Sequence, residues 1–573
     1  MKAIGRGGNR NTGKHKVELN INKEVKLSTK IFSYDIVLDT GENIFMGTFL
    51  NPGFEDMVID KNTDFYVDKS MLLSITNERI DTYDCFLCVS RFRRSGKTMA
   101  ANMIAAYYSK GCDSHEIFAD LKISKDLSFE KYINKYNVIS IDMNGVLSMK
   151  GKMTTAQFYT KYIVPELMEE FPEVDIKEDD SLVEALISIY EATGERFVFI
   201  IDEYDAVFRE ERYSSDAEEY MRFLISLFKG SIGSSTIALA YLTGIMPIIK
   251  DKNQSGLNNF DEYTMVHAYE MAPYMGFTED EVRSLAEKAE MDYHEMKRWY
   301  DGYTMEGIKI YSPKSIIDAI EDKECDYYWT QTCSYEVLTD YISMEFEGIK
   351  EDVISLLFGD SVPVNTRKFN NTMLKINSKD DVYTCLIQLG YLGHDSDEKT
   401  CFIPNKELRD MWALCMERAK GYEEIGRIIR KSEYLLDATW KMEEETVSAM
   451  FKKAHKEITK SIKTERGYDL KCAILLSYFN AQEYYRVICS ELERSEEYAK
   501  VVFVPSVPNV PAMLVEFKKD NSLDIVLGNI KDREYKEALE KYGDNLLLVA
   551  ISYDSKKMEY YSRIEKVKKE SQE

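Results

Sequence analysis

The segment Ser90-Arg-Phe-Arg-Arg-Ser-Gly-Lys-Thr-Met99 constrains this chain more than any other. The apolar Tyr83-Asp-Cys-Phe-Leu-Cys-Val89 before it predicts a buried strand. Met99-Ala-Ala-Asn-Met-Ile-Ala-Ala-Tyr-Tyr108 after it predicts a helix closed by Gly111. A Gly-Lys-Thr triplet between a strand and a helix is the context of a phosphate-binding loop. Lys97 is then placed to reach the β- and γ-phosphates of ATP, and the Thr98 hydroxyl to hold Mg²⁺. Backbone N–H groups at the helix start would cradle the phosphates. The expected nucleotide-binding set is Arg93, Arg94, Ser95, Gly96, Lys97, Thr98 and Met99. The usual pattern, G-x-x-x-x-G-K-[ST], has its first Gly where this chain has Arg91. Alone, the loop also reads as a basic turn before an ordinary helix.

A second segment supports the first. Arg196-Phe-Val-Phe-Ile-Ile-Asp-Glu-Tyr-Asp205 is an apolar run ending in acids. Such a run suits a strand buried on both faces of a parallel sheet. Acids at its C-terminal end sit where open α/β sheets bind ligands. Asp202 would hold Mg²⁺ through water, and Glu203 would orient or deprotonate the attacking water. The expected catalytic residues are thus Glu203, Lys97 and Asp202, and the metal-holding pair is Thr98 and Asp202. A third strand, Thr236-Ile-Ala-Leu-Ala-Tyr-Leu-Thr-Gly244, ends in Thr243 at the same sheet edge, a position suited to sensing the γ-phosphate.

The chain has 573 residues, 44% hydrophobic and 30% charged, which fits globular protein of about three or four domains. No apolar run approaches the roughly 18 residues of a membrane span, and no N-terminal secretory h-region is evident, so a cytoplasmic location without a membrane is expected. The net charge of −25 argues against a general nucleic-acid coat protein. Cys85 and Cys88 form a C-x-x-C inside the strand before the loop, where a core role is the simpler reading, and no second C-x-x-C completes a zinc site.

Four units are expected. Residues 1–45 are a glycine-rich arm whose first sixteen residues carry bases but no acid, read as disordered. Ile31–Ile44 could hold short strands, and Met46 is a candidate original start. Residues 46–265 alternate strand and helix signals, which implies a parallel sheet. Residues 266–435 read as a mostly helical lid or connector. Its helices are expected from Thr278-Glu-Asp-Glu281 through about Ala289, around 293–300, 313–321 and 335–345, and after Pro404. Residues 436–573 predict helices at 438–462 and 470–490. A hairpin of Ala499–Val504 and Ala512–Lys518 follows, then a helix around 531–541 and a strand Asn545–Ile551.

Seven motifs stand in a characteristic order: Phe65-Tyr-Val-Asp-Lys69, the loop Arg91-Phe-Arg-Arg-Ser-Gly-Lys-Thr98, Ile200-Ile-Asp-Glu203, Leu242-Thr-Gly-Ile245, Ser255-Gly-Leu-Asn-Asn-Phe260, Trp299-Tyr-Asp-Gly-Tyr303 and Phe402-Ile-Pro-Asn405. With them the chain resembles, over about residues 46–560, the bacterial AAA-ATPase-like proteins that carry a C-terminal PD-(D/E)xK nuclease-like domain. The resemblance implies an α/β fold with a P-loop NTPase parallel sheet, a helical lid or connector, and a restriction-endonuclease-like α/β domain. It also makes an Arg at the first-Gly position a habit of the family.

The nuclease part departs from what the resemblance implies. Glu516-Phe-Lys518 fits the Glu-x-Lys element, but Lys500 stands where the family has a metal-binding Asp. Asn529 and Gly467 replace a usual Gln and Glu. Exchanging a carboxylate for an ammonium changes the local charge by two units, so a divalent cation would meet Lys500 in its place. The expectation is a degenerate nuclease site of Lys500, Glu516 and Lys518, with Lys500 replacing the metal beside Glu516. Glu497 would point to the opposite strand face.

Three functions follow in order of preference. The first is Mg-dependent ATP binding and hydrolysis, coupled to a nuclease-like domain that has lost cleavage. The second is a non-hydrolysing, nucleotide-held switch or scaffold. The third is an ATP-gated DNA nuclease. DNA or a protein partner, reached through the C-terminal unit, and a homo-oligomer remain open as partners.

Overall fold

Apolar strands of Phe, Val, Ile and Leu, buried on both faces, set the architecture around the loop. The computed structural model describes residues 47–209, 214–248, 256–332, 335–369, 376–461, 468–489, 498–532, 542 and 545–567. The N-terminal arm, including the short strands expected within Ile31–Ile44, and Ser255, Gly467 and Glu497 lie outside them. Two helices, α1 (Glu55–Lys61) and α2 (Leu72–Arg79), precede β1 (Phe86–Ser90), and α3 (Lys97–Tyr108) follows the loop. With β2 (Asn137–Asp142), β3 (Phe197–Asp202), β4 (Ile237–Gly244) and β5 (Asp261–Tyr263), β1 forms a five-stranded sheet in the order β2-β3-β4-β1-β5. Every pairing in it is parallel. Each residue of β1, β3 and β4 is buried, as a parallel sheet covered on both faces requires. Cys85 and Cys88 are core residues of this layer, each 1% exposed, and burial raises both thiol pKa values.

The order matters because β4 lies between β1 and β3. Val89 pairs with Thr243, Ser90 with Gly244, Ile201 with Leu242, and Asp142 with Asp202. The ends of four strands therefore meet at one C-terminal edge, where open α/β sheets take their ligands.

The following region is mostly helical, with its helix starts written in the sequence. Thr278 and Glu281 make a reciprocal capping box on Glu279–Lys288. Helices at Tyr293–Tyr300, Pro313–Asp322, Tyr335–Ile342 and Lys406–Cys415 follow as the periodicity predicts. Two small antiparallel sheets accompany them. One is ordered β6-β8-β7 from β6 (Phe277–Thr278), β7 (Tyr303–Met305) and β8 (Ile308–Tyr311). The other is ordered β10-β11-β9 from β9 (Val362–Pro363), β10 (Gly393–Asp395) and β11 (Thr400–Phe402).

The Trp299–Tyr303 and Phe402–Asn405 motifs meet here. Gly302 has φ +127°, and a Cβ on it would lie 2.0 Å from the Pro404 carbonyl oxygen. Only a glycine admits both that backbone and that approach. Lys406 sits over the Trp299 ring, 4.1 Å from its centroid. Gly302→Ala is expected to destabilise the chain by about 1–3 kcal/mol through backbone strain and overpacking. A lowered denaturant midpoint checks it; an unchanged midpoint would show that the two segments can separate freely.

The C-terminal sheet is β12 (Tyr485–Cys489), β13 (Tyr498–Pro505), β14 (Ala512–Lys519), β15 (Leu546–Asp554) and β16 (Glu559–Lys566), ordered as numbered. Strands β14 and β15 run parallel, and the other pairs are antiparallel. The connection between β14 and β15 carries the helix Leu523–Asp532; the rest of the helix expected around 531–541 lies outside the described residues. The helix expected over 470–490 ends earlier, at Ser477, and Tyr485-Arg-Val-Ile-Cys489 becomes β12 on the edge of β13. A Tyr-Val-Ile run is a good strand former, and the neighbouring strand overrides the helical reading. The helix expected over 438–462 is interrupted too, with Ser432–Trp440 and Glu444–Ser461 as separate helices. Among the described residues no helix is long and apolar enough to cross a membrane.

Candidate nucleotide-binding site

The loop leaves β1 at Ser90 and is braced on both sides. Arg91 is fully buried, and its guanidinium donates to the carbonyls of Ser90 (2.9 Å) and Tyr263 (2.8 Å). At the position where the usual pattern has its first glycine, this chain has a strut between β1 and β5. Burial lowers the Arg91 pKa to about 10, which leaves it charged at neutral pH. Phe92 is also fully buried, but in the core of the helical region. It stacks on Tyr303 at 4.9 Å between centroids and meets Trp329 edge-on at 6.2 Å. The Trp329 indole N–H donates to the Arg93 carbonyl (2.9 Å), and the Gly276 N–H donates to the Ser95 carbonyl (2.8 Å).

The same loop then turns into α3. Gly96 has φ +92°, and a Cβ there would meet no atom within 4 Å, so the space over the loop is open. Arg93, Arg94, Thr98 and Met99 are exposed, whereas Ser95 and Lys97 are buried. Arg94 also has a positive φ, +65°. The twelve-residue α3 directs its N-terminal N–H groups and the positive end of its dipole at this space.

Lys97 is 4% exposed and surrounded by oxygen. Its ammonium donates to the carbonyls of Arg91 (3.3 Å) and Phe92 (3.2 Å) and lies 3.6 Å from Glu203 Oε1. Burial pulls its pKa down, while Glu203, Asp202 and Asp205 oppose that shift. Thr98 Oγ1 donates to Asp202 Oδ2 (2.6 Å), and Thr243 Oγ1 donates to Asp202 Oδ1. The Glu203 N–H approaches Asp202 Oδ1 (3.1 Å) and Thr243 Oγ1 (3.3 Å), with Glu203 at φ +53°. All the residues expected at the strand ends thus meet: Asp202 is locked by hydroxyls from α3 and β4, and Glu203 faces Lys97.

Three further residues at this edge escaped the sequence reading. Asp142, paired with Asp202 across β2 and β3, caps the helix after β2, and its pKa is raised by burial and then by Asp202 and Glu203. Asp205 is 1% exposed and accepts the N–H groups of Ile245 (3.2 Å) and Met246 (2.9 Å). Burial raises its pKa, and Arg209 opposes the shift. Arg209 donates to Glu203 Oε2 and lies 3.1 Å from Asp205 Oδ2. The i,i+4 spacing of Asp205 and Arg209 was a usable signal.

The C-terminal sheet holds a second polar group. Lys500 on β13 and Glu516 on β14 are cross-strand partners, 5% and 0% exposed. Lys518, two residues on and hence on the same strand face, lies 3.3 Å from Glu516 Oε1. Among the described residues this group offers one carboxylate with two lysines, which does not fit a divalent cation that needs several oxygen ligands. Among the described residues no group of three or more His, Cys, Asp or Glu is disposed to hold a metal ion.

This part of the chain is an α/β unit, a parallel five-stranded sheet with the Gly-Lys-Thr loop at its C-terminal edge. Residues 53–253 match the AAA-ATPase-like family, described as a predicted AAA-ATPase, so this segment is AAA-ATPase-like. A curated relative, an uncharacterized protein in the vnfD 5′ region of Azotobacter chroococcum mcd 1, is 28% identical over 166 residues. The match covers 28% of this chain, which spans about a third of that relative's length (31%). Among solved structures, the Aeropyrum pernix ORC2 protein in its ADPNP–ADP complexes aligns over 63% of this chain and 98% of its own. The identity is 10% and the TM-score 0.22, which does not define a shared fold.

Proposed function

We propose that the C-terminal edge of the first sheet binds Mg-ATP and hydrolyses it. The observation that supports this best is the joining of Thr98, Asp202 and Thr243 through one carboxylate, with Lys97 and Glu203 beside it. Thr98 and Asp202 offer oxygen donors only, a set that suits a hard cation completed by water and phosphate oxygens. Mg²⁺ held there would neutralise charge on the phosphates. Lys97 exchanges its loop carbonyls for the β- and γ-phosphates. N–H groups of Arg93, Arg94, Ser95, Gly96, Lys97, Thr98 and Met99 bind phosphate oxygens, and Thr243 reads the γ-phosphate. Glu203 accepts a proton from water. The water oxygen bonds to the γ-phosphorus, and the bond to the bridging oxygen breaks with its electron pair leaving on ADP. Exposed Arg93 and Arg94 are candidates to balance charge in the transition state.

In this proposal residues 46–265 form the ATPase unit, 266–435 the connector, and 436–573 a nuclease-like unit that binds DNA or a protein partner without cutting. The sheet β13-β14-β15, with a helix in the β14–β15 connection, supports the restriction-endonuclease-like reading. Lys500 opposite Glu516 supports the loss of cleavage.

The test is Mg-dependent phosphate release by the purified chain, with and without DNA, beside Glu203→Gln. Removing the base should lower kcat by about 10²–10⁴-fold while ATP binding persists. Equal turnover by both proteins would remove Glu203 from the mechanism. No cleavage of DNA is expected with Mg²⁺ or Mn²⁺. Cleavage that disappears in Glu516→Ala would show instead that the second site is active.

A further inference from the structure

Glu203 uses its two carboxylate oxygens on two different cations. Oε1 faces Lys97 Nζ at 3.6 Å, on the side of the phosphate loop. Oε2 accepts from Arg209 Nη2. Those two cations differ in what they can do. Lys97 belongs to the phosphates once ATP binds. Its ammonium cannot then keep Glu203 in place, because the γ-phosphate competes for the same charge. Arg209 has no such competitor on its other side, where it meets the buried Asp205. Asp205 is in turn fixed by the N–H groups of Ile245 and Met246, immediately after β4. The path from Glu203 through Arg209 and Asp205 thus ends on rigid backbone.

Resting on the ATPase reading, we propose that Arg209 is a positioning residue for the attacking water. It retains Glu203 Oε2 when Lys97 turns to the phosphates, and so leaves Oε1 directed at the water. The shape of the guanidinium suits this role: Nη2 donates to Glu203 Oε2 while Nε lies 3.1 Å from Asp205 Oδ2, as an ion pair without a hydrogen bond. Glu203 needs such a tether. It sits at φ +53°, and the three side-chain torsions of a Glu would otherwise let the carboxylate follow Lys97. A lysine at this position reaches one carboxylate well and the other poorly, so Arg209→Lys keeps the charge but loses the bridge.

The experiment uses the full chain and measures ATP affinity and kcat separately. Arg209→Gln is expected to lower kcat by about 10²-fold, the cost of a misplaced catalytic group, with the Kd for ATP changed by less than about 3-fold. Arg209→Lys should recover part of the loss. In a Glu203→Gln background, Arg209→Gln should add little, because the arginine acts through the glutamate. Since Arg209→Gln also leaves Asp205 without this cation, the double substitution Asp205→Asn with Arg209→Gln removes that charge and should show the same loss of kcat at a wild-type melting temperature. Full kcat in Arg209→Gln overturns the inference while leaving the ATPase reading intact. So does a full further loss in the Glu203→Gln background, which would assign Arg209 a direct role on the phosphate. Absence of Mg-dependent turnover in the wild type overturns the ATPase reading and this inference with it.

Discussion

Lys97→Ala is expected to remove ATP binding at the first sheet while leaving the fold in place. Lys97 is the only lysine of the loop. Its ammonium, at 4% exposure, touches two loop carbonyls and Glu203, so it is already desolvated. A desolvated cation that meets phosphate loses little further hydration on binding. Truncating one partner of such a buried charge pair costs about 2–5 kcal/mol, roughly 30-fold to several thousand-fold in affinity. The fold should tolerate the change because Glu203 keeps Arg209 as its partner. Titration with a fluorescent ATP analogue, beside phosphate release and a melting curve, checks this. Wild-type hydrolysis by Lys97→Ala would end the assignment of this loop. Lysine-dependent binding in a wild type that does not turn over would instead favour a nucleotide-held switch.

Phe92→Ala is the substitution with the largest expected effect on stability. Phe92 lies in the phosphate loop by sequence but in the helical core by packing, against Tyr303 and Trp329. Gly390 admits it: a Cβ on Gly390 would come within 2.6 Å of the Phe92 Cβ. Removing a buried phenyl ring costs about 3–5 kcal/mol. The loop should loosen as well, because the Trp329 indole that meets this ring also holds the Arg93 carbonyl. Behind Trp329, the buried Glu407 accepts the N–H groups of Tyr328 (2.7 Å) and Thr330 (3.0 Å), so the clamp is anchored to the helix Lys406–Cys415. Denaturant unfolding should therefore show a lower midpoint, and ATP affinity should fall with it. Phe92→Leu, which keeps the apolar volume and loses the ring stacking, should cost less in both. A fall in stability with ATP affinity unchanged would make the ring a packing element only, uncoupled from the loop.

That coupling gives the helical region a physical link to the Gly-Lys-Thr loop. Two backbone carbonyls of the loop, at Arg93 and Ser95, accept hydrogen bonds from Trp329 and Gly276. A change in loop conformation must move or break these contacts, whichever function the C-terminal unit serves.

What the sequence determined by itself is local. The Gly-Lys-Thr turn, the apolar strand that ends in Asp202 and Glu203, the strand that ends at Thr243 and the Thr278–Glu281 capping box are each encoded within about ten residues, where side-chain period and turn chemistry act directly. Those segments stand in the structure as β1, α3, β3, β4 and the helix Glu279–Lys288. Tertiary structure decided what joins them. Strand order places β4 between β1 and β3 and so brings Thr243 to Asp202. Packing sends Phe92 away from its own sheet, bends Arg209 back to Glu203, and turns Tyr485–Cys489 from an expected helix into an edge strand. Each of these depends on partners distant in the chain or on the alignment of a neighbouring strand, and local propensity is too weak to encode such partners against the core that selects them.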